Sequence, residues 1–295
     1  MQELSFQNIT TDFITDPLFS EKNIEVAVLR LDKIHPVISG NKWFKLQFYI
    51  EEAKHLQKKT IVTFGGAWSN HIVATAAACK QNELNSIGII RGEEAEELST
   101  TLRYAKELGM QLIFISRDDY RNKKIPESIT KEESYFIPEG GFGAKGAEGA
   151  ETILNNCDKT NFTHYCCAVG TGTMMAGLIR ASSKVQHVIG ISMLKNNFEL
   201  EENVKALLND EQNFQLHHDY HFGGYAKYNN ELIRFMNEWY RRSNIPSDFV
   251  YTGKLFFAIY DLINKNYFPS GSRLLIIHSG GLQGNASLPK GTLIF

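Results

Sequence analysis

The feature that most narrows the fold of this chain is a rhythm of short apolar runs, each ending in a turn and followed by a segment of helical spacing. Thr60 to Phe64 (TIVTF) ends in Gly65-Gly66 and leads into His71 to Cys79 (HIVATAAAC), a helix of small residues able to pack closely on a sheet. Ser86 to Ile90 reads as the next strand, Glu94 to Leu108 as a helix closed by Gly109, and Gln111 to Ser116 as a strand. Tyr135 to Pro138 runs into a glycine cluster (Gly140, Gly141, Gly143, Gly146, Gly149), and a helix is predicted over about Ala147 to Cys157. The rhythm then restarts: strand His164 to Val169, helix from Thr173, strand His187 to Met193, helices Glu231 to Arg242 and Lys254 to Asn264, strand Arg273 to His278. Alternation of this kind predicts an α/β class with parallel sheets and crossover helices.

Outside that rhythm the signal is thinner. The first 20 or so residues carry no strong periodicity and are expected to wrap a surface formed elsewhere, before a strand at Ile24 to Leu31 (IEVAVLRL). Arg117 to Glu133 reads as a solvated loop with room for a short helix, and residues 194–228 are weakly patterned. There is no internal repeat, low-complexity tract or linker, so the glycine cluster is the plausible hinge. A length of 295 residues accommodates two domains or one large one.

A formal net charge of −2 gives no electrostatic case for nucleic acid or an anionic membrane surface. No apolar run approaches the ~18 residues of a membrane span. The amino terminus lacks a basic region followed by an apolar core, so no secretory signal is expected. Cys79, Cys157, Cys166 and Cys167 form no CxxC pair, a poor basis for disulfides or zinc that fits a reducing cytoplasm.

Chemistry concentrates at the turns. Ser39-Gly40-Asn41-Lys42-Trp43-Phe44-Lys45-Leu46 places Lys42 near a helix start. A lysine there is either a solvated cation or an amine whose lowered pKa lets it form a Schiff base with a carbonyl, and the octapeptide alone does not decide. In Gly65-Gly66-Ala67-Trp68-Ser69-Asn70-His71, Ser69 or Asn70 can cap the helix, and the same backbone N–H groups can hold a substrate carboxylate. Val169-Gly170-Thr171-Gly172-Thr173 repeats the arrangement in the second half. It lacks the Gly-Lys-Ser/Thr of a Walker loop, and its third glycine, Gly177, falls one residue too late for the dinucleotide fingerprint, so a pocket for one phosphate competes with a bare cap. Val250-Tyr251-Thr252-Gly253-Lys254 and Ile277-His278-Ser279-Gly280-Gly281 are further strand-end turns. Ligands bind at the carboxyl ends of strands in open α/β sheets, so four such turns can converge on one pocket.

The ordered set GNKxxKL, GGxxSNH, a VGTGT-type loop, VYTGK and HSGG resembles fold type II pyridoxal-phosphate enzymes, and within them the 1-aminocyclopropane-1-carboxylate deaminase / D-cysteine desulfhydrase group. The resemblance runs from about Val26 to Gly281. It implies two open twisted parallel-sheet domains with helices on both faces: a large one from residues 1–44 and 151–295, and a small one, 45–150, inserted in it. It also implies a commonly dimeric enzyme with bound pyridoxal 5'-phosphate.

The resemblance assigns Lys42 to the Schiff base, and Lys45 with Gly170, Thr171, Gly172 and Thr173 to the phosphate. It assigns Asn70 to the cofactor's ring oxygen and Thr252 to the pyridine nitrogen. Ser69, Asn70, His71, Trp68 and Ser279 fall to the substrate, with Ser69, Tyr225 and Tyr251 assisting catalysis. Three positions depart from the family pattern: Ser39 precedes Gly40, Phe44 replaces an arginine and Trp68 a frequent glutamine; the tryptophan and phenylalanine suggest a more apolar or narrower pocket. Deaminases of the group carry a glutamate where this chain has Thr252, and tend to leucine where it has Ser279. The reaction expected is therefore α,β-elimination from D-cysteine or a related D-amino acid, giving pyruvate, ammonia and sulfide. The alternatives are deamination of 1-aminocyclopropane-1-carboxylate and a non-catalytic anion-binding protein on the same fold. Phosphoryl transfer is disfavoured because no carboxylate set for magnesium is evident.

Overall fold

The computed structural model describes residues 4–208 and 213–295. In chain order the elements are β1 (Thr11–Ile14), α1 (Pro17–Glu21), β2 (Glu25–Arg30), α2 (Asn41–His55), β3 (Thr60–Gly65), α3 (Asn70–Gln81), β4 (Asn85–Arg91), α4 (Thr100–Glu107), β5 (Gln111–Ile115), α5 (Arg117–Arg121) and β6 (Ser134–Ile137). They continue as α6 (Ala144–Glu151), β7 (His164–Val169), α7 (Thr173–Ala181), β8 (His187–Ser192), α8 (Leu200–Lys205), β9 (Phe214–His217), α9 (Asn230–Ser243), α10 (Thr252–Asn264) and β10 (Arg273–His278).

The strands form two sheets. One has the order β1-β2-β10-β7-β8-β9, the other β5-β4-β3-β6. All pairings are parallel except β1 with β2, where Thr11 faces Leu29 in an antiparallel edge. The α/β class is thus the one the alternation implies. The inner strands of the larger sheet, β2, β10, β7 and β8, read as largely apolar runs because both faces are covered. Ala27 and Leu29 of β2, with Leu275 and Ile277 of β10, pack towards α6 and α7. Their neighbours Val26, Val28, Leu274 and Ile276 pack towards Phe256, Ile259 and Trp239 of α9 and α10. The small-residue helix α3 is buried along most of its length against the smaller sheet, with Ile61 and Ile90.

Several expectations shift. The opening segment contains a helix and the edge strand β1, too short to show a period. The helix expected from Glu94 begins at Thr100, because the Ser99 side chain accepts from Leu102 N–H and caps it there. The helix expected to run to Cys157 gives way after Glu151 to a 3-10 stretch, Thr152–Asn156. The weakly patterned region contains α8 and β9, while its residues 209–212 lie outside the described residues. Phe44, expected to narrow the pocket, is instead 1% exposed in the main core, edge-on to Phe6 with centroids 6.0 Å apart. Its carbonyl lies where a β-carbon on Gly149 would fall, at 1.8 Å, which lets α2 and α6 pack backbone to backbone. Among the described residues no helix is long and apolar enough to cross a membrane.

Candidate active site

The head of α2 is built by close approach. Gly40 has φ +65°, and a β-carbon there would fall 1.8 Å from Ser279 O. Asn41 N–H donates to the same carbonyl at 3.2 Å, and the Asn41 side-chain amide meets Met174 Sδ at 3.2 Å on α7. The loop before Lys42 is thereby fixed on the end of β10 and on the first turn of α7. Lys42 is half-buried, and burial, partly offset by Asp248, brings its amine down to about 8. Lys45, one turn on, is 4% exposed and held well below the ordinary lysine range by burial and by Lys42. Neither amine has a salt-bridge partner among the described residues. Two buried amines without a salt bridge, each gaining its proton more readily beside a negative group, make a site complementary to an anion.

The turn after β3 presents Ser69, Asn70 and His71. Ser69 is the N-cap of α3, its hydroxyl accepting from Ile72 N–H at 3.4 Å. Asn70 opens the helix, and its Oδ1 is buried without a partner. A β-carbon on Gly281 would come 2.9 Å from Asn70 Nδ2 and 3.4 Å from Asp248 Oδ1, which puts the SNH, HSGG and VYTGK turns together. His71 Nε2 sits 2.9 Å from Thr63 Oγ1, whose own hydrogen goes to Ile137 O at 2.8 Å. The imidazole therefore carries its hydrogen on Nε2, and Nδ1 is a buried acceptor without a partner. Burial, with Lys42 and Lys45, keeps His71 neutral, its pKa well below the usual range.

At the head of α7, Gly172 is left-handed at φ +84°, and the Thr171 and Thr173 hydroxyls lie 3.1 Å apart. The first-turn amides point out of the helix as free donors. Gly170 faces the Tyr251 ring, which a β-carbon there would meet at 3.6 Å.

The fourth turn holds a group that motif reading missed. Asp248, fully buried, accepts four hydrogen bonds: Oδ1 from Thr252 N–H (2.9 Å) and the Thr252 hydroxyl (2.7 Å), Oδ2 from Val250 N–H (3.0 Å) and Tyr251 N–H (2.9 Å). Four donors and no acceptor mean an ionised carboxylate. Burial lifts its pKa above the ordinary range, against the pull of those donors. Its signal is an Asp two residues before Val250, the spacing of a side-chain turn. Tyr225 and Tyr251 stand edge-on with ring centroids 6.1 Å apart. Burial raises both phenols, Tyr251 far above its usual range. Trp68 is 43% exposed on the turn before Ser69, and Ser279 contributes its carbonyl to the Lys42 loop. Arg91, the last residue of β4 and also missed, reaches over the Tyr120 ring at 5.9 Å.

A family model described as "Pyridoxal-phosphate dependent enzyme" matches residues 5–280. The chain belongs to that family. It is 30% identical over 289 residues to a Pyrococcus abyssi protein named "Putative 1-aminocyclopropane-1-carboxylate deaminase", covering 90% of this chain and 86% of that one. It is 28% identical to the mitochondrial bifunctional D-cysteine desulfhydrase/1-aminocyclopropane-1-carboxylate deaminase of Arabidopsis thaliana, covering 88% and 73%. The solved structure of an ACC deaminase homologue superposes with a TM-score of 0.81 at 25% identity, over 94% of this chain and 90% of that one.

The protein is thus a pyridoxal-phosphate-dependent enzyme of fold type II, like the deaminases and desulfhydrases of that group. Its residues fit the cofactor: a half-buried amine lowered to about 8, a second buried lysine without a salt bridge, and an orphaned buried Asn70 Oδ1. Lys42 would take the carbonyl, while Lys45 and the amides from Gly170 to Thr173 would take the phosphate.

Proposed function

We propose that this enzyme catalyses α,β-elimination from a small D-amino acid, D-cysteine foremost, releasing pyruvate, ammonia and sulfide. The observation that carries the reading is the side chain of Thr252, which opens α10 and which the family resemblance sets opposite the pyridine nitrogen. Its hydrogen is committed to Asp248, and that carboxylate is itself saturated by four donors. No free carboxylate is thereby offered at this position, and a substrate with a good leaving group on its β-carbon asks least of the electron sink.

When bound, the cofactor supplies that sink for the electrons released at the substrate α-carbon. Lys42 would be the base that takes the α-proton. The first-turn amides of α3 and the Ser69 hydroxyl would hold the substrate carboxylate. The Tyr225–Tyr251 pair covers the reacting face, and Trp68 and Ser279 bound the space for the side chain. Residues 45–150 form the small domain in this reading and the remainder the large one. Their closure would bring Ser69 to the substrate and exclude water. A homodimer in the cytoplasm completes the proposal.

The plant relative's name carries both activities, so opening of 1-aminocyclopropane-1-carboxylate is the second reading. An assay of keto-acid release across D-cysteine, β-chloro-D-alanine, D-serine, their L-forms and the cyclopropane separates the two. Turnover of the D-amino acids is expected. Turnover of the cyclopropane with none of them would overturn the Thr252 argument.

A further inference from the structure

Lys254 is a buried cation that the chemistry above does not use. It lies in the first turn of α10, 0% exposed, among core residues such as Leu255 and Phe256. Its Nζ donates to His221 O and to Gly224 O, both at 2.8 Å. Those carbonyls bracket a tight turn: Gly224 N–H returns to His221 O at 3.0 Å, and Gly223 and Gly224 have φ of +93° and +119°. The next residue is Tyr225.

The cation's electrostatic partner is Asp248, which partly offsets the burial that brings the Lys254 amine down to about 8. On its other side Asp248 accepts the Tyr251 amide at 2.9 Å. An apolar side chain of similar volume would fill the space occupied by Lys254 at less desolvation cost. It could not hold two carbonyls of a glycine turn.

We propose that Asp248 and Lys254 are positioning residues for the reaction, Asp248 fixing Tyr251 and Lys254 fixing Tyr225, so that the two rings meet over the reacting centre. The proposal rests on the reading that this tyrosine pair serves catalysis. The segment Asp248-Phe249-Val250-Tyr251-Thr252-Gly253-Lys254 then works as one unit, with a tyrosine at its middle and a positioning charge at each end.

Two measurements on the cofactor-loaded enzyme test it. The first is amide hydrogen exchange of Lys254→Met and of Lys254→Gln, which keeps a donor. Residues 221–228 should exchange roughly tenfold faster in the first and less so in the second, with α10 and β2 unchanged. Unchanged exchange there, or an equal rise everywhere, overturns the proposal. The second is a double-mutant cycle with Tyr225→Phe, reading keto-acid release. Lys254→Met should lower kcat by roughly 10–100-fold with little effect on KM in the parent, and change it by less than about twofold once Tyr225 is phenylalanine. An equal loss in both backgrounds overturns the proposal. If the parent turns over none of the candidate substrates, the reaction assignment fails, while the exchange result still decides whether Lys254 holds the turn.

Discussion

Gly40 and Ser279 lie backbone against backbone, so closely that a β-carbon on Gly40 would fall 1.8 Å from the Ser279 carbonyl oxygen. This contact joins the loop carrying Lys42 to the end of the central strand β10. It makes the position of the reactive amine a property of the sheet rather than of a flexible loop.

Replacing Gly40 by alanine should therefore act on the cofactor as well as on stability. At φ +65° an alanine costs about 1–2 kcal/mol in backbone strain alone, and the overlap with Ser279 must displace the head of α2. Expected are a lower midpoint in urea unfolding and a weakened hold on pyridoxal phosphate, read by equilibrium dialysis. Parent-like values of both would show that the contact is not needed to place Lys42.

Beneath the same loop, Arg30 forks onto Asp32 at 2.9 and 2.7 Å and reaches Asp12 at 3.0 Å, with the Arg30 and Asp32 side chains 8% and 5% exposed. Burial opposes ionisation of Asp32, but His278 and Arg30 together hold its pKa below the ordinary value of 3.8. A lowered folded-state pKa gives stability that is present above 3.8 and lost as the pH falls through the folded value. Arg30→Met should cost about 3–5 kcal/mol at neutral pH by taking from buried Asp32 the guanidinium that donates to both its oxygens. The difference should shrink below the unfolded value as Asp32 takes up a proton. Denaturant titrations at neutral pH and near pH 3 check this; a gap that widens in acid would refute it.

The phosphate site is tested at Thr173, whose hydroxyl lies 3.1 Å from that of Thr171. Thr173→Ala should release pyridoxal phosphate more readily while leaving turnover at saturating cofactor within about threefold, a loss of roughly one hydrogen bond to a charged group. Retention equal to the parent's would place the phosphate elsewhere.

Why some of this was legible in the sequence and some was not follows from the range over which each signal acts. Strands His164–Val169 and Arg273–His278 could be read to the residue because both faces of the sheet are covered, and burial on two sides writes an unbroken apolar run. Ser69 and the loop at Gly172 were legible because helix caps are local chemistry. Strand β1 was not, since four residues on an edge carry no period and their pairing with β2 is settled by distant chain. Phe44 was misread as facing the pocket because two residues on a helix can share a motif and point to opposite sides. Asp248 and Lys254 were overlooked for a related reason. A carboxylate that accepts four hydrogen bonds and a lysine that donates to two carbonyls look, in sequence, like any solvated pair of charges.

The amine at the centre offers the last test. Burial lowers Lys42 to about 8, so roughly a tenth of it is neutral at pH 7, far more than for a lysine at its ordinary 10.5. Only the neutral form attacks a carbonyl. Uptake of pyridoxal phosphate by the cofactor-free protein, followed by its visible absorbance, should therefore quicken about tenfold per pH unit below about 8 and level off above it. Borohydride should fix the cofactor on Lys42, and Lys42→Ala should abolish that bond and slow turnover by about 10²–10⁴-fold. Asp248 pulls the Lys42 pKa upward, so Asp248→Asn should move the break in the uptake profile to lower pH. A break near 10.5, as for a solvated lysine, would mean that the pocket does not prepare the amine, and a break moved upward by Asp248→Asn would reverse the sign of the interaction.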